Sequence, residues 1–275
     1  MPVLFPYRVA VVSVTALLLA SGLIAALFLL SHLATVTVFA FIVAIAAWEW
    51  AGLLKAGRPA RWLFGLVTWL PCIALYACEM PVTALVALWS AALIFWLLLV
   101  PIWFRQQWPL SANATGFLVG WLLLIPSWAG MVILQQHSPW LLLAALALVW
   151  VADIAAYFSG RAFGHHKLAP VISPGKTWAG AAGAAVAVLA YALAVGSATG
   201  RLVQLSSLEI LGAVFCLLVL TVVSILGDLF ESLAKRHAGV KDSSALLPGH
   251  GGVLDRIDSL TSTLPLFGLA SLLLD

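Results

Sequence analysis

The chain contains few charged side chains. Only 8% of its 275 residues are Asp, Glu, Lys or Arg, and 64% are hydrophobic. Soluble domains typically carry about 25% charged and about 45–50% apolar residues, so a soluble globular protein is excluded. The composition predicts a protein whose solvent is the lipid bilayer. The net charge of +3 is small, and no basic block is interleaved with aromatic residues, so nucleic acid is not expected as a partner.

Cysteine is also scarce. The three cysteines, Cys72, Cys78 and Cys216, lie inside apolar runs without the spacing of metal ligands. We interpret them as small hydrophobic residues. No Ser–His–Asp arrangement or cysteine nucleophile stands out, and we find neither a soluble domain nor a convincing internal repeat.

Long apolar runs fill the rest of the chain. They predict an all-α polytopic membrane protein with about nine transmembrane helices. The predicted spans are 9–31, 33–54, 62–79, 81–104, 113–134, 139–160, 178–196, 208–231 and 253–274. We divide the chain into residues 1–112, which hold the first four helices, and 113–275, which hold the polar motifs.

The basic residues predict how the chain is oriented in the membrane. With the N-terminus placed inside, all but one of the 13 Lys and Arg residues fall on the inner side, the exception being Arg201. This asymmetry follows the positive-inside rule. We therefore predict a cytoplasmic N-terminus and a C-terminus on the far side. Short loops without organelle targeting predict a bacterial inner membrane, with the polar loops facing the cytoplasm.

Acidic residues gather on the last two predicted helices, in positions that share a helix face. They are Asp228, Glu231, Asp255 and Asp258. Facing each other, these carboxylates would repel unless a cation lay between them, and hard oxygen ligands suit Mg²⁺. We predict a metal site here. The alternative is a set of ordinary ion pairs with neighbouring Lys and Arg residues.

Two glycine-containing segments are candidate phosphate-binding elements. In PGHGG, Gly251 and Gly252 precede the last helix, where backbone N–H groups favour an anion. A tight turn explains this segment equally well, and His250 is either a phosphate donor or a loop residue. In SPGKTW, Ser173 and Lys176 precede the seventh predicted helix, although the segment lacks the spacing of a Walker A motif.

The sequence leaves the roles of two further acids open. Glu49 lies in AWEWAG near the cytoplasmic end of the second span, and Asp153 lies in the sixth span. Each is either a proton-relay or substrate group, or a structural hydrogen-bonding group. Acids for Mg²⁺, basic side chains and glycine turns together indicate metal-dependent phosphoryl or nucleotidyl transfer on a lipid.

The C-terminal half resembles a known family. Residues 224–258 contain S-x-x-K-R, then K-D, then P-G-H-G-G-x-x-D-R-x-D. This string resembles the hallmark of the phosphatidate cytidylyltransferases (CDP-diacylglycerol synthases), and DIAAYFSGR with HKLAPVISPGKTW is similar to the family too. In the first half, only the span pattern and the W-E-W around Glu49 match.

The resemblance implies a reaction in which CTP and phosphatidic acid give CDP-diacylglycerol and pyrophosphate. It implies that Mg²⁺ is held by Asp228 and Asp255, with Asp258 and Glu231 beside them, and leaves open whether K⁺ joins it. The implied catalytic residues are Asp228, Asp255, Asp258, Lys235 and Arg256. The implied substrate-binding residues are Ser173, Lys176, Arg236, Lys241, His250, Gly251 and Gly252.

Two other functions remain as alternatives. A transporter of an anionic lipid or nucleotide would show inverted repeats and a polar site at the bilayer midplane, whereas the polar residues here cluster at one surface. A CDP-alcohol phosphotransferase would resemble D-G-x-x-A-R followed by G-x-x-x-D-x-x-x-D, a string that is missing. Small-residue helix faces permit a homodimer without requiring one.

Overall fold

The computed structural model describes the backbone of residues 4–272 and the side chains of residues 11–272. The α-helices in this range are α1 (Leu4–Phe28), α2 (His32–Leu53), α3 (Arg58–Ala77), α4 (Val82–Ile94), α5 (Val100–Gln106), α6 (Ala114–His137), α7 (Pro139–Phe163), α8 (Trp178–Ala198), α9 (Ser207–Ala238) and α10 (Leu254–Ser271). The Arg8 side chain and residues 273–274, which the predictions above used, lie outside the described residues.

Three shorter segments connect the helices. A π-helical segment, Phe95–Leu99, joins α4 to α5, and a 3₁₀ turn, Leu202–Gln204, lies between α8 and α9. Strands β1 (Lys167–Ala169) and β2 (Ser173–Thr177) pair antiparallel between α7 and α8. This hairpin is the departure from the predicted all-α fold, and the apolar patterning that predicts helices carries no signal for it.

Eight helical segments within residues 4–272 are long and apolar enough to cross a membrane. The segments are Val11–Phe28, His32–Leu53, Arg58–Ala77, Val82–Gln106, Ala114–His137, Pro139–Phe163, Trp178–Ala198 and Ser207–Ala238. The chain is therefore a multi-pass helical membrane protein. The ninth predicted span, α10, is not among these segments, because three charged residues at its start lower its hydropathy.

Helix α10 lies in the interior of the bundle. It packs against α6, α9 and α4, and its Ser259, Ser262 and Thr263 side chains are buried. Within α10, Ser262 Oγ and Thr263 Oγ1 each donate to the carbonyl of Ser259 at 2.9 Å. Because α10 is enclosed by other helices, its charged first turn can point into the protein and not into lipid.

Local sequence explains where several helices begin or change. The Asn113 side chain accepts from the Gly116 amide at 2.9 Å and caps α6. Ser206 and Glu209 form a reciprocal capping box at the start of α9. The π-helical segment precedes Pro101, which has no N–H to donate, and the Val100 amide there donates to Phe95, five residues back.

Glycine at position 227 lets α9 and α10 touch. A Cβ atom there would lie 2.8 Å from the backbone oxygen of Asp258 and would also meet the Ser262 side chain. On the same helix, Gly212 has open space around it. The contact at Gly227 therefore sets how closely the acidic faces of α9 and α10 approach.

We expect Gly227→Ala to lower the unfolding temperature of the detergent-solubilised protein. Overpacking costs about 1–3 kcal/mol, more than the roughly 1 kcal/mol that alanine gains over glycine in a helix. The control is Gly212→Ala, which should leave the unfolding temperature unchanged or raise it. Tryptophan fluorescence on heating measures both. Equal behaviour of the two variants would show that the α9–α10 contact is looser than described.

Candidate functional site

A cavity of about 790 Å³ lies between α7, the β1–β2 hairpin, α8, α9 and α10. We call it the polar cavity because charged and hydroxyl side chains line much of it. Of the predicted site residues, it brings together Ser173, Lys176, Asp228, Asp255, Arg256 and Asp258. The two charged segments of the sequence therefore meet, as their predicted placement on one side of the membrane implies.

Lys176 is delivered to this cavity by the hairpin. Strand β2 ends at Thr177, whose side chain accepts from the Gly180 amide at 3.1 Å and caps α8. The preceding residue, Lys176, places its Nζ 2.7 Å from Asp228 Oδ2. Ser232 donates to the other Asp228 oxygen at 3.2 Å. Asp228 is thus held between a cation from the hairpin and a hydroxyl one turn further along α9.

Three acids from three helices repel one another in the polar cavity. Asp153 on α7 and Asp258 on α10 each interact unfavourably with Asp228 on α9. A group of acids with oxygen donors alone suits a hard divalent cation. Among the described residues, no three His, Cys, Asp or Glu side chains are already arranged around one point as metal ligands; Lys176 supplies positive charge there instead.

A buried ion-pair triad adjoins the cavity. Lys235 Nζ lies 2.6 Å from Glu231 Oε2 and 2.7 Å from Asp255 Oδ1. The acid side chains are almost wholly buried, with 5% and 4% of their surface exposed. Glu231 Oε1 is buried and has no hydrogen-bond partner within the part of the chain that the structure describes. An orphaned carboxylate oxygen of this kind fits a position near a cation.

The second oxygen of Asp255 fixes the loop before α10. Asp255 Oδ2 accepts from the Gly252 amide at 2.7 Å, the Ser243 amide at 2.8 Å and the Ser243 hydroxyl at 2.9 Å. A Cβ atom on Gly252 would lie 2.5 Å from Glu49 Oε1. Only glycine therefore allows the loop to pass between these two carboxylates.

Glu49 caps the start of α10 from a distant helix. It is fully buried on α2, and its carboxylate accepts from the backbone amides of Val253 and Leu254 at 3.0 and 2.6 Å. The hydroxyls of Ser243 and Ser244 donate to it at 3.2 and 2.6 Å. A negative charge at a helix N-terminus is favourable, so Glu49 ties the loop and the first turn of α10 to α2.

The remaining predicted residues lie outside the polar cavity. Arg236 Nε donates to the Ile172 carbonyl at 3.4 Å and so holds the hairpin. Lys241 is exposed. His250 lies in a closed turn, in which its amide donates to Leu247 and the Leu247 amide donates to Gly251, both at 2.8 Å. In this structure PGHGG is a tight turn, the alternative that the sequence left open, and the Gly252 amide is bound by Asp255.

Sequence reasoning left two acids undecided and omitted one serine. Asp153 belongs to the polar cavity, and Glu49 has the structural role of a cap. Ser243, which bridges Glu49 and Asp255, was not singled out. The signal for Ser243 was its place directly after K-D in the motif, whereas its partner Glu49 lies 194 residues away in the chain.

Comparison with known proteins identifies the family of the chain. A sequence model of the cytidylyltransferase family matches residues 11–274. The chain belongs to the cytidylyltransferase family. It is thus an enzyme that transfers a cytidylyl group, and the family resemblance of its C-terminal motif is confirmed.

Similar bacterial proteins named phosphatidate cytidylyltransferase include the following three. The protein from Pseudomonas aeruginosa is 42% identical over 266 residues, which cover 92% of this chain and 93% of that protein. The one from Haemophilus influenzae is 51% identical over 132 residues, 48% of this chain and 45% of the relative. The one from Brucella suis is 50% identical over 123 residues, 45% of this chain and 43% of the relative.

Proposed function

We propose that the chain is a phosphatidate cytidylyltransferase, which transfers CMP from CTP to phosphatidic acid. The observation that carries this proposal is the polar cavity, in which acids from three helices meet Lys176 and Arg256. The full-length similarity to the Pseudomonas aeruginosa protein supports it. The cavity offers acids for a cation and cations for phosphates, which is what nucleotidyl transfer requires.

We assign the cation site to Asp228, Asp255 and Asp258, with Glu231 beside them. All three aspartates line the polar cavity, and the partnerless oxygen of Glu231 is consistent with a nearby cation. When bound, Mg²⁺ would neutralise triphosphate charge, a role for which it commonly uses one or two carboxylates plus substrate phosphates. Whether K⁺ accompanies it stays a prediction.

The basic residues hold the phosphates in this proposal. Lys176 and Arg256 line the polar cavity, as does Ser173, so these three bind CTP or the lipid phosphate. Lys235 forms a 2.7 Å ion pair with Asp255 and so holds the Asp255 carboxylate in place. Gly252 lets the loop pass between Glu49 and Asp255 and so positions the Asp255 carboxylate. Arg236 positions the hairpin through its bond to the Ile172 carbonyl. Lys241, His250 and Gly251 do not line the polar cavity, and we keep them as proposed substrate contacts in the loop before α10.

The chemistry needs no dedicated base. An oxygen of the lipid phosphate attacks the α-phosphorus of CTP, a new P–O bond forms, and the bond to the β-phosphate oxygen breaks to release pyrophosphate. A phosphate monoester is already largely ionised near neutral pH, since its second pKa is about 6. The protein contributes by aligning the two substrates and by stabilising charge that develops on the leaving group.

We also propose the setting of the reaction. The polar cavity faces the cytoplasm of a bacterial inner membrane, α10 completes nine spans, and the N-terminus is cytoplasmic. Residues 113–275 carry the chemistry, and residues 1–112 contribute the Glu49 cap. A homodimer stays a prediction, because Gly180 and Gly183 of α8 pack against α7 within the chain.

A radiolabel assay tests the function. Purified protein is incubated with α-labelled CTP, phosphatidate and Mg²⁺, and the organic phase is analysed for liponucleotide. We expect labelled CDP-diacylglycerol with one pyrophosphate released for each product formed. A transporter would give no labelled lipid. If folded protein formed no liponucleotide at every Mg²⁺ concentration tested, the proposal would be refuted.

A further inference from the structure

A second cavity, of about 660 Å³, adjoins the polar cavity. We call it the apolar groove because its walls are hydrophobic side chains from α5, the hairpin, the start of α8 and α9. Three of its residues, Leu168, Ala181 and Ile225, also line the polar cavity. The two cavities therefore meet along a border to which β1, α8 and α9 each contribute one residue.

Helix α9 shows how sharply the two environments are divided. Its groove-lining residues are Val222, Ile225, Leu226 and Leu229, and its residues in the polar cavity are Thr221, Ser224, Ile225 and Asp228. Both sets have the spacing i, i+3, i+4, i+7, which marks one face of a helix. The faces are displaced by one residue and overlap at Ile225, so one helix presents a polar stripe beside an apolar one.

The apolar groove has a charged side chain at its border with the polar cavity and exposed apolar side chains elsewhere. At the border, Lys176 Nζ lies 2.7 Å from Asp228 and 3.5 Å from the Ile225 carbonyl oxygen. Among the residues that line only the groove, Val222 is 52% and Trp178 63% exposed on helices of spanning length. A ligand can therefore place an anionic group near Lys176 while an apolar part runs outward towards lipid.

We propose that the apolar groove binds an acyl chain of the phosphatidate whose phosphate lies in the polar cavity. This inference rests on the proposed function and adds a location for the lipid's tail. A nucleotide has no apolar part for the groove, whereas a diacyl phosphate matches both sides of the border. An acyl chain in a bilayer is already in apolar surroundings, so the groove orients the headgroup more than it adds affinity.

A groove-filling variant tests the proposal. In Val222→Trp, the indole occupies the groove without entering the polar cavity. We expect kcat/KM for dioleoyl phosphatidate to fall about tenfold or more, with changes below about twofold in the KM for CTP and in kcat/KM for dihexanoyl phosphatidate, whose chains are too short to need the groove. The matched control is Val186→Trp on α8, an exposed valine that lines neither cavity; it should behave like the unsubstituted protein.

A turnover-independent probe separates this inference from the proposed function. A phosphatidate with a diazirine near the middle of one acyl chain is photolysed with the protein, and labelled peptides are identified by mass spectrometry. We expect labelling at 222–229 that dioleoyl phosphatidate, but not dioleoyl phosphatidylcholine, suppresses. Such labelling without liponucleotide synthesis would refute the proposed function but would still show that the groove binds an acyl chain. Equal suppression by both lipids, or equal losses of kcat/KM for long and short chains, would overturn the groove assignment.

Discussion

Asp228→Asn is expected to lower kcat/KM for CTP by at least about 100-fold, because a carboxylate that helps to hold a divalent cation contributes several kcal/mol to transition-state stabilisation. The substitution keeps the size of the side chain and leaves an oxygen for the Ser232 hydroxyl. It removes the charge that pairs with Lys176. Initial rates over a range of Mg²⁺ concentrations measure the effect.

The control for this variant lies on the same helix. Glu209→Gln makes the same acid-to-amide change in the capping box of α9, where glutamine serves as well as glutamate. Its kcat/KM should match that of the unsubstituted protein. If Asp228→Asn turned over normally at every Mg²⁺ concentration, Asp228 would not be part of a cation site.

Glu49→Gln is expected to have the second-largest effect. A neutral amide can accept through one atom only, so its NH₂ group would face donors among Ser243, Ser244 and the first amides of α10. Each buried donor left without an acceptor costs about 1–3 kcal/mol. Since the same loop positions Asp255, we expect a lower unfolding temperature together with a loss of roughly 10–100-fold in kcat/KM on the folded fraction, the range seen for residues that orient metal ligands.

A buried polar residue far from the loop serves as its control. Thr68 is fully buried, donates to the Phe64 carbonyl at 2.7 Å and accepts from Trp121. Thr68→Val should lower the unfolding temperature while kcat/KM stays constant. If Glu49→Gln also lost only stability, the carboxylate would be a structural cap without influence on the site.

The helical architecture could be read from the sequence because each apolar run must satisfy its own backbone in lipid. The run predicted at 139–160 corresponds to α7, Pro139–Phe163. An apolar run marks a span and not the end of its helix. Helix α9 extends to Ala238, beyond the span predicted at 208–231, and ends at Gly239, which has the left-handed conformation of a C-cap.

The candidate site was predictable in its residue types and less so in its pairings. Asp228, Asp255 and Asp258 do line one cavity with Lys176, as their placement on one membrane side predicts. The hairpin that carries Lys176, and the bond from Glu49 to a loop about 200 residues later, depend on tertiary packing. No local periodicity encodes such contacts.

In the proposed site, acids of the polar cavity share one divalent cation that holds the nucleotide. Mn²⁺, which takes the same oxygen ligands, can be followed by electron paramagnetic resonance in purified protein with CTP. We expect a stoichiometric bound-Mn²⁺ signal that Asp228→Asn combined with Asp258→Asn abolishes, while Glu209→Gln retains it. Unchanged Mn²⁺ affinity in the folded double variant would show that these acids do not hold the cation.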